Sequence, residues 1–104
     1  MRNQFDRQLN TLNGELIQMG HMVEQAIEHA IEAMVHQDAE KARKNMEFDS
    51  EVDQQEKDIE TLCMKLLMQQ QPVASDLRVI SAAMKMVSDM ERIGDQACDI
   101  TGIV

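Results

Sequence analysis

Two acid doublets carry the chemistry legible in this sequence. Asp49 and Asp53 stand four apart in Asp49-Ser50-Glu51-Val52-Asp53, and Glu91 and Asp95 stand four apart in Glu91-Arg92-Ile93-Gly94-Asp95. Residues four apart share one face of a helix, where like charges repel by roughly a few tenths of a kcal/mol. At about 100° per residue, both doublets fall at the edge of an apolar arc and not on its far side. Crowded carboxylates raise one another's pKa. A hard or borderline divalent or trivalent cation relieves that crowding, because such ions take carboxylate oxygens. Glu56 could add to the cluster and Asp89 could flank it. The plainer alternative is a solvated acidic face neutralised by Arg92, Lys57 or Lys85, an arrangement that contributes little stability.

Three amphipathic segments must position these acids. In the first, Phe5, Leu9, Leu12, Leu16, Met19, Val23, Ala26, Ile27, Ala30, Ile31 and Met34 recur at alternating spacings of four and three, one stripe on a helix and close to a heptad. It fades at His36-Gln37, and Asp38 then offers its carboxylate as an N-cap. The second stripe reads Ala39, Ala42, Met46, Val52, Ile59, Cys63, Leu66 and Leu67, and stops at Gln69-Gln70-Gln71-Pro72. Pro72 cannot continue a helix but suits the first position of a new one. The third runs Leu77, Ile80, Ala83, Met84, Val87, Met90, Ile93, Ala97 and Ile100, with an arc broad enough to make this the most buried helix. Gly102 is a candidate cap at its end. Short connections make neighbouring helices antiparallel. The prediction is an all-α, up-down-up three-helix bundle in a single unit, 1–104, with long spectrin-like helices over about 3–36, 38–70 and 72–101.

Folding the second and third helices back to back across Pro72 sets the acids in register. Asp53 lies nineteen residues before Pro72 and Glu91 nineteen after; Asp49 lies twenty-three before and Asp95 twenty-three after. Both doublets therefore stand about 30 Å from the turn, and four carboxylates can converge on one patch. The same counting puts Cys63 and Cys98 about 25 Å apart, beyond disulfide reach. His21 falls near the height of Asp53 but off the apolar stripe, facing solvent, and His29 and His36 have no partner that spacing identifies. No Ser-His-Asp or Cys-His arrangement and no Gly-rich phosphate loop is present. A ferritin-type di-iron oxidase would want four helices and Glu-x-x-His pairs, and no such pair occurs.

Composition agrees with helix: one Pro, four Gly, two Phe, no Trp and no Tyr in 104 residues, with ten Met to fill an adaptable core. Formal net charge is −9, which repels nucleic acid and anionic membrane surfaces and favours cations or a basic partner surface. No apolar stretch approaches the roughly twenty residues of a membrane span, and Met1-Arg2-Asn3-Gln4-Phe5-Asp6 has no signal core, so the chain reads as cytoplasmic.

Two stretches, Gln69-Gln70-Gln71-Pro72-Val73-Ala74-Ser75-Asp76-Leu77-Arg78-Val79-Ile80 and Asp89-Met90-Glu91-Arg92-Ile93-Gly94-Asp95-Gln96-Ala97, resemble the PhoU family. The start from Phe5 through Leu12 to Met19 and the phrase around Asp49 and Asp53 are similar to it too, so the likeness covers essentially the whole chain. The resemblance implies one three-helix repeat and a multinuclear metal site, typically iron or zinc, built from Glu/Asp-x-x-x-Asp motifs. These motifs match Asp49/Asp53 and Glu91/Asp95, with Glu56 and Asp89 as lesser candidates. It implies no enzymatic activity. The implied role is negative regulation of phosphate uptake and phosphate signalling, by contact with the Pst transporter ATPase and the phosphate sensor histidine kinase at the inner face of the membrane. Family members usually carry two repeats in tandem, so this chain reads either as part of a two-repeat protein or as one repeat that a homodimer pairs. The alternatives are a regulatory domain attached to another phosphate transporter and a structural helical bundle without metal.

Overall fold

The computed structural model describes residues 2–68 and 74–101. Three helices follow one another, α1 Arg2–His36, α2 Ala39–Met68 and α3 Ala74–Thr101, and among the described residues there is no strand. They pack as an antiparallel bundle of 53 × 18 × 15 Å. Its length is that of one 35-residue helix, α1, at about 1.5 Å per residue. The expected helix start at Pro72, the stop at Gln69-Gln70-Gln71, the cap at Gly102 and the side chain of Ile100 lie outside the described residues.

The core is built in layers seven residues apart. Phe5, Leu12 and Met19 of α1, Val52, Ile59 and Leu66 of α2, and Ile80 and Val87 of α3 form one buried cluster. A seven-residue repeat keeps a seam facing its neighbours when helices wind gently around one another. Toward the α1–α2 turn the core narrows to Ala26, Ala30 and Ala97 with the edge of Phe48.

Several stripe residues are not core. Ile27, Ile31, Met34, Met46, Leu77 and Ile93 are all exposed, as is Ala39. In α2 the position seven before Val52 is Asn45, and it is Asn45 that is buried in place of Met46. Its Nδ2 donates to the Ala26 carbonyl at 3.1 Å, which meets part of the cost of burying an amide. Nor is α3 the most buried helix. Leu77 and Ile93 of its broad arc face solvent, as do Val79 and Met86 outside that arc, and α1 supplies more of the buried apolar side chains. Three helices cover one flank each, and an arc wider than that flank stays exposed.

The α1–α2 connection is tight. Asp38 Oδ1 accepts the Glu40 and Lys41 N–H groups at 3.1 and 3.2 Å, the expected N-cap. The preceding residue, Gln37, has φ 49°, and the Asp38 N–H reaches back to the Ala33 carbonyl at 3.0 Å. That is the Schellman closure, which ordinarily uses Gly at this position. Gln37→Gly removes the left-handed penalty on a residue with a Cβ and should stabilise the fold by about 1 kcal/mol, read as a raised urea midpoint at unchanged slope.

Candidate metal centre

Each acid doublet brackets a residue at the α2–α3 contact. Val52, between Asp49 and Asp53, is fully buried, and Gly94, between Glu91 and Asp95, packs on it. A Cβ on Gly94 would stand 3.3 Å from Val52 Cγ1 and 4.0 Å from Val23 Cγ2. The bare glycine thus lets α3 approach α2 where the carboxylates stand. Gly94→Leu would overpack this contact at a cost of about 1–3 kcal/mol and spread the doublets. The expected readout is a lower melting temperature together with weaker zinc binding in titration calorimetry.

The carboxylates converge. Single ligand oxygens of Asp49, Asp53 and Asp95 all lie within 4.8 Å of one another. Asp95 first, and then burial, push the Glu91 carboxyl up to about 8, with Glu56 and Asp53 adding to the effect. Burial first, and then Asp95, push Asp49 up to about 6. All four are half-buried. Among the described residues none of the four forms an ion pair with Lys, Arg or His. Arg92 and Lys85 bond Asp89 instead, so Asp89 is engaged by cations and is not one of the close group. Glu56 is half-buried on α2. Its carboxyl is raised by burial and then by Glu60, Asp53 and Asp95, which places it in the field of the cluster.

Two further acids belong to that field. Asp99 raises Asp49 and Glu60 raises Glu56. Neither is among the acids that spacing singles out, the two doublets with Glu56 and Asp89, yet Asp99 continues the Glu91, Asp95 series at the same spacing of four. Both cysteines are free. The Cys98 thiol is pushed up by burial first and then by Asp49, Asp99, Asp95 and Asp53, which places it in the field of the same acids. His21 is exposed, and His29 stacks edge-on against Phe48 with ring centroids 6.4 Å apart.

The donor set fits a cation. One oxygen of Asp49, Oδ1, is buried and accepts no hydrogen bond. A buried acceptor without a donor is costly, and four carboxylates without a counter-charge are costlier. A metal ion at this point would satisfy both, with Asp49, Asp53 and Asp95 as the oxygen ligands within reach of one another and Glu91 outside that group of three.

The fold and the patch define a class: a long three-helix bundle bearing an acid quartet between two antiparallel helices. Comparison with known proteins places it. The family profile described as PhoU domain matches residues 16–104. The phosphate-specific transport system accessory protein PhoU of Edwardsiella tarda is 43% identical over 94 residues, 90% of this chain and 39% of that protein. The homolog from Clostridium acetobutylicum is 41% identical over 100 residues, 95% of this chain and 46% of that protein. The one from Pseudomonas aeruginosa is 37% identical over 97 residues, 93% and 40%. The chain belongs to the PhoU family. It spans less than half the length of these relatives. No solved structure matches it. No helix among the described residues is long and apolar enough to cross a membrane.

Proposed function

We propose that this chain is a metal-loaded helical module that regulates phosphate uptake. It docks on the phosphate transporter ATPase and the phosphate sensor histidine kinase at the inner face of the membrane and damps both, with no catalysis of its own. The role in transport rests on its relatives, named accessory proteins of the phosphate-specific transport system. The observation that carries the metal reading is the approach of Asp49, Asp53 and Asp95 to within 4.8 Å with no cationic side chain among them. Iron or zinc, in one ion or a cluster, is the occupant that Asp49, Asp53, Glu91 and Asp95 would hold. Its chemistry there is structural: it ties α2 to α3 and replaces mutual repulsion with shared coordination. The working unit pairs this bundle with a second copy; relatives more than twice its length have room for two bundles of this size.

Two measurements test this reading. Affinity capture with the purified ATPase and kinase should retain both; retention of neither sinks the regulatory role. Elemental analysis of protein prepared without chelator should find iron or zinc in stoichiometric amount. A metal-free preparation that cannot be loaded leaves a purely structural bundle.

A further inference from the structure

Asn45 is a polar residue in an apolar row. It precedes Val52, Ile59 and Leu66 at the same seven-residue spacing along α2, and it is only 2% exposed. Its carboxamide is half used. Nδ2 donates to the Ala26 carbonyl of α1. A carbonyl only accepts, so this bond fixes which branch of the amide is nitrogen and leaves the oxygen on the other branch. That oxygen, Oδ1, is buried and has no hydrogen-bond partner.

One turn further along α2, Asp49 Oδ1 is in the same condition. Among the described residues three buried side-chain oxygens lack a partner, and two of them stand on these adjacent turns. Residues four apart on a helix have Cβ atoms about 5–6 Å apart. A helical side chain also leans toward the N-terminus and lies over the turn before its own. The Asp49 carboxylate therefore lies over the turn that carries Asn45. Neither oxygen carries a proton, so the two cannot satisfy each other.

A water molecule can satisfy both. It has two protons to give, and with O–H···O bonds of about 2.8 Å it spans acceptors up to about 5 Å apart. Buried waters are held by two to four polar partners. The core at this end is built from Ala26, Ala30 and Ala97, whose side chains are small. A carboxylate has about four acceptor sites. Asp49 can therefore take a proton from a water and still offer an oxygen to the group it forms with Asp53 and Asp95.

We infer that Asn45 and Asp49 hold one buried water, and that through it Asn45 positions the Asp49 carboxylate for the metal ion. This deepens the metal reading above and rests on it. Asn45 is a positioning residue and not a ligand: it fixes the rotation of the carboxylate before the ion arrives, as outer partners do for metal ligands elsewhere.

The test is zinc titration calorimetry on the full chain, with thermal melts in chelator alongside. Asn45→Leu keeps the shape of the side chain and removes both polar atoms. It should weaken zinc binding about tenfold. The metal-free melting temperature should stay level or rise, because an apolar residue then completes the row of Val52, Ile59 and Leu66. Asn45→Val should show the same split and serves if Leu does not fit beside Ala26. In wild type, the Asn45 side-chain N–H resonances should shift when zinc is added. In metal-free protein they should show a through-space contact to a long-lived water. Variants that bind zinc as tightly as wild type overturn the positioning role, and so do variants whose stability and affinity fall together. Absence of the water contact overturns the water. A wild type that binds no zinc overturns the metal reading itself and this role with it.

Discussion

Asp53→Asn combined with Asp95→Asn should abolish the proposed iron or zinc binding while leaving the helices intact. The two substitutions replace one anionic ligand from each doublet with an amide of the same shape. Affinity should fall at least about a hundredfold, since even perturbing a ligand's supporting contacts costs 10–100-fold. The same change should raise the melting temperature of the metal-free protein by about 5 °C, because it removes two of the charges that crowd Asp49 and Glu91. Loss of metal with gain of apo stability separates a site from a structural ion-pair network, whose breakage would destabilise. Elemental analysis and a chelator-treated thermal melt give both readings. Unchanged metal content in the double variant would move the site elsewhere on the molecule.

Metal-free protein should lose stability as pH rises, the reverse of ordinary acid denaturation. In the fold Asp49 is raised from 3.8 to about 6 and Glu91 from 4.5 to about 8. A group whose folded pKa is raised contributes stability that is complete below its unfolded pKa and lost as pH passes the folded value. The window is therefore about pH 4 to 8. Asp49 gives up its share near 6, and Glu91 near 8. The melting temperature in chelator should drop on the order of 5–10 °C between about pH 5 and pH 8.5. Glu91→Gln should flatten the upper part of that curve. Added zinc should invert it, because the ion competes with the protons the cluster retains and binds more tightly as they leave. A flat apo profile across this range would mean that the carboxylates are further apart than 4.8 Å in solution.

Helix positions were legible because their signals are local. Apolar spacing of three and four marks α1, and Asp38 marks the start of α2 with its own side chain. The approach of Asp95 to Asp49 and Asp53 is legible for a different reason: a short turn makes register a matter of counting, and a rigid rise per residue carries the count over about 30 Å. What failed was burial. Periodicity shows that Ile27, Ile31 and Ile93 lie on an apolar stripe, but not whether a neighbour covers that part of it. An apolar stripe takes in Met46 and passes over the polar Asn45, whereas the seven-residue layer running back from Val52 decides which of them points inward. The left-handed turn at Gln37 left no mark, because Gln there gives none of the usual Gly or Asn signal. Gly94 could be read only once the distance to Val52 was known.

The narrowing of the core has a mechanical consequence. Leu, Ile, Val and Phe fill the layers away from the α1–α2 turn, while Ala26, Ala30 and Ala97 fill those nearest it. Small side chains hide less surface, so that end opens at lower free energy than the rest, and its amides should exchange with deuterium through local fraying and not through global unfolding. The acid quartet sits where the two halves of the rod join. An ion held there acts as a clasp below a loose end, so loading and unloading it would change how often the tip of the molecule breathes.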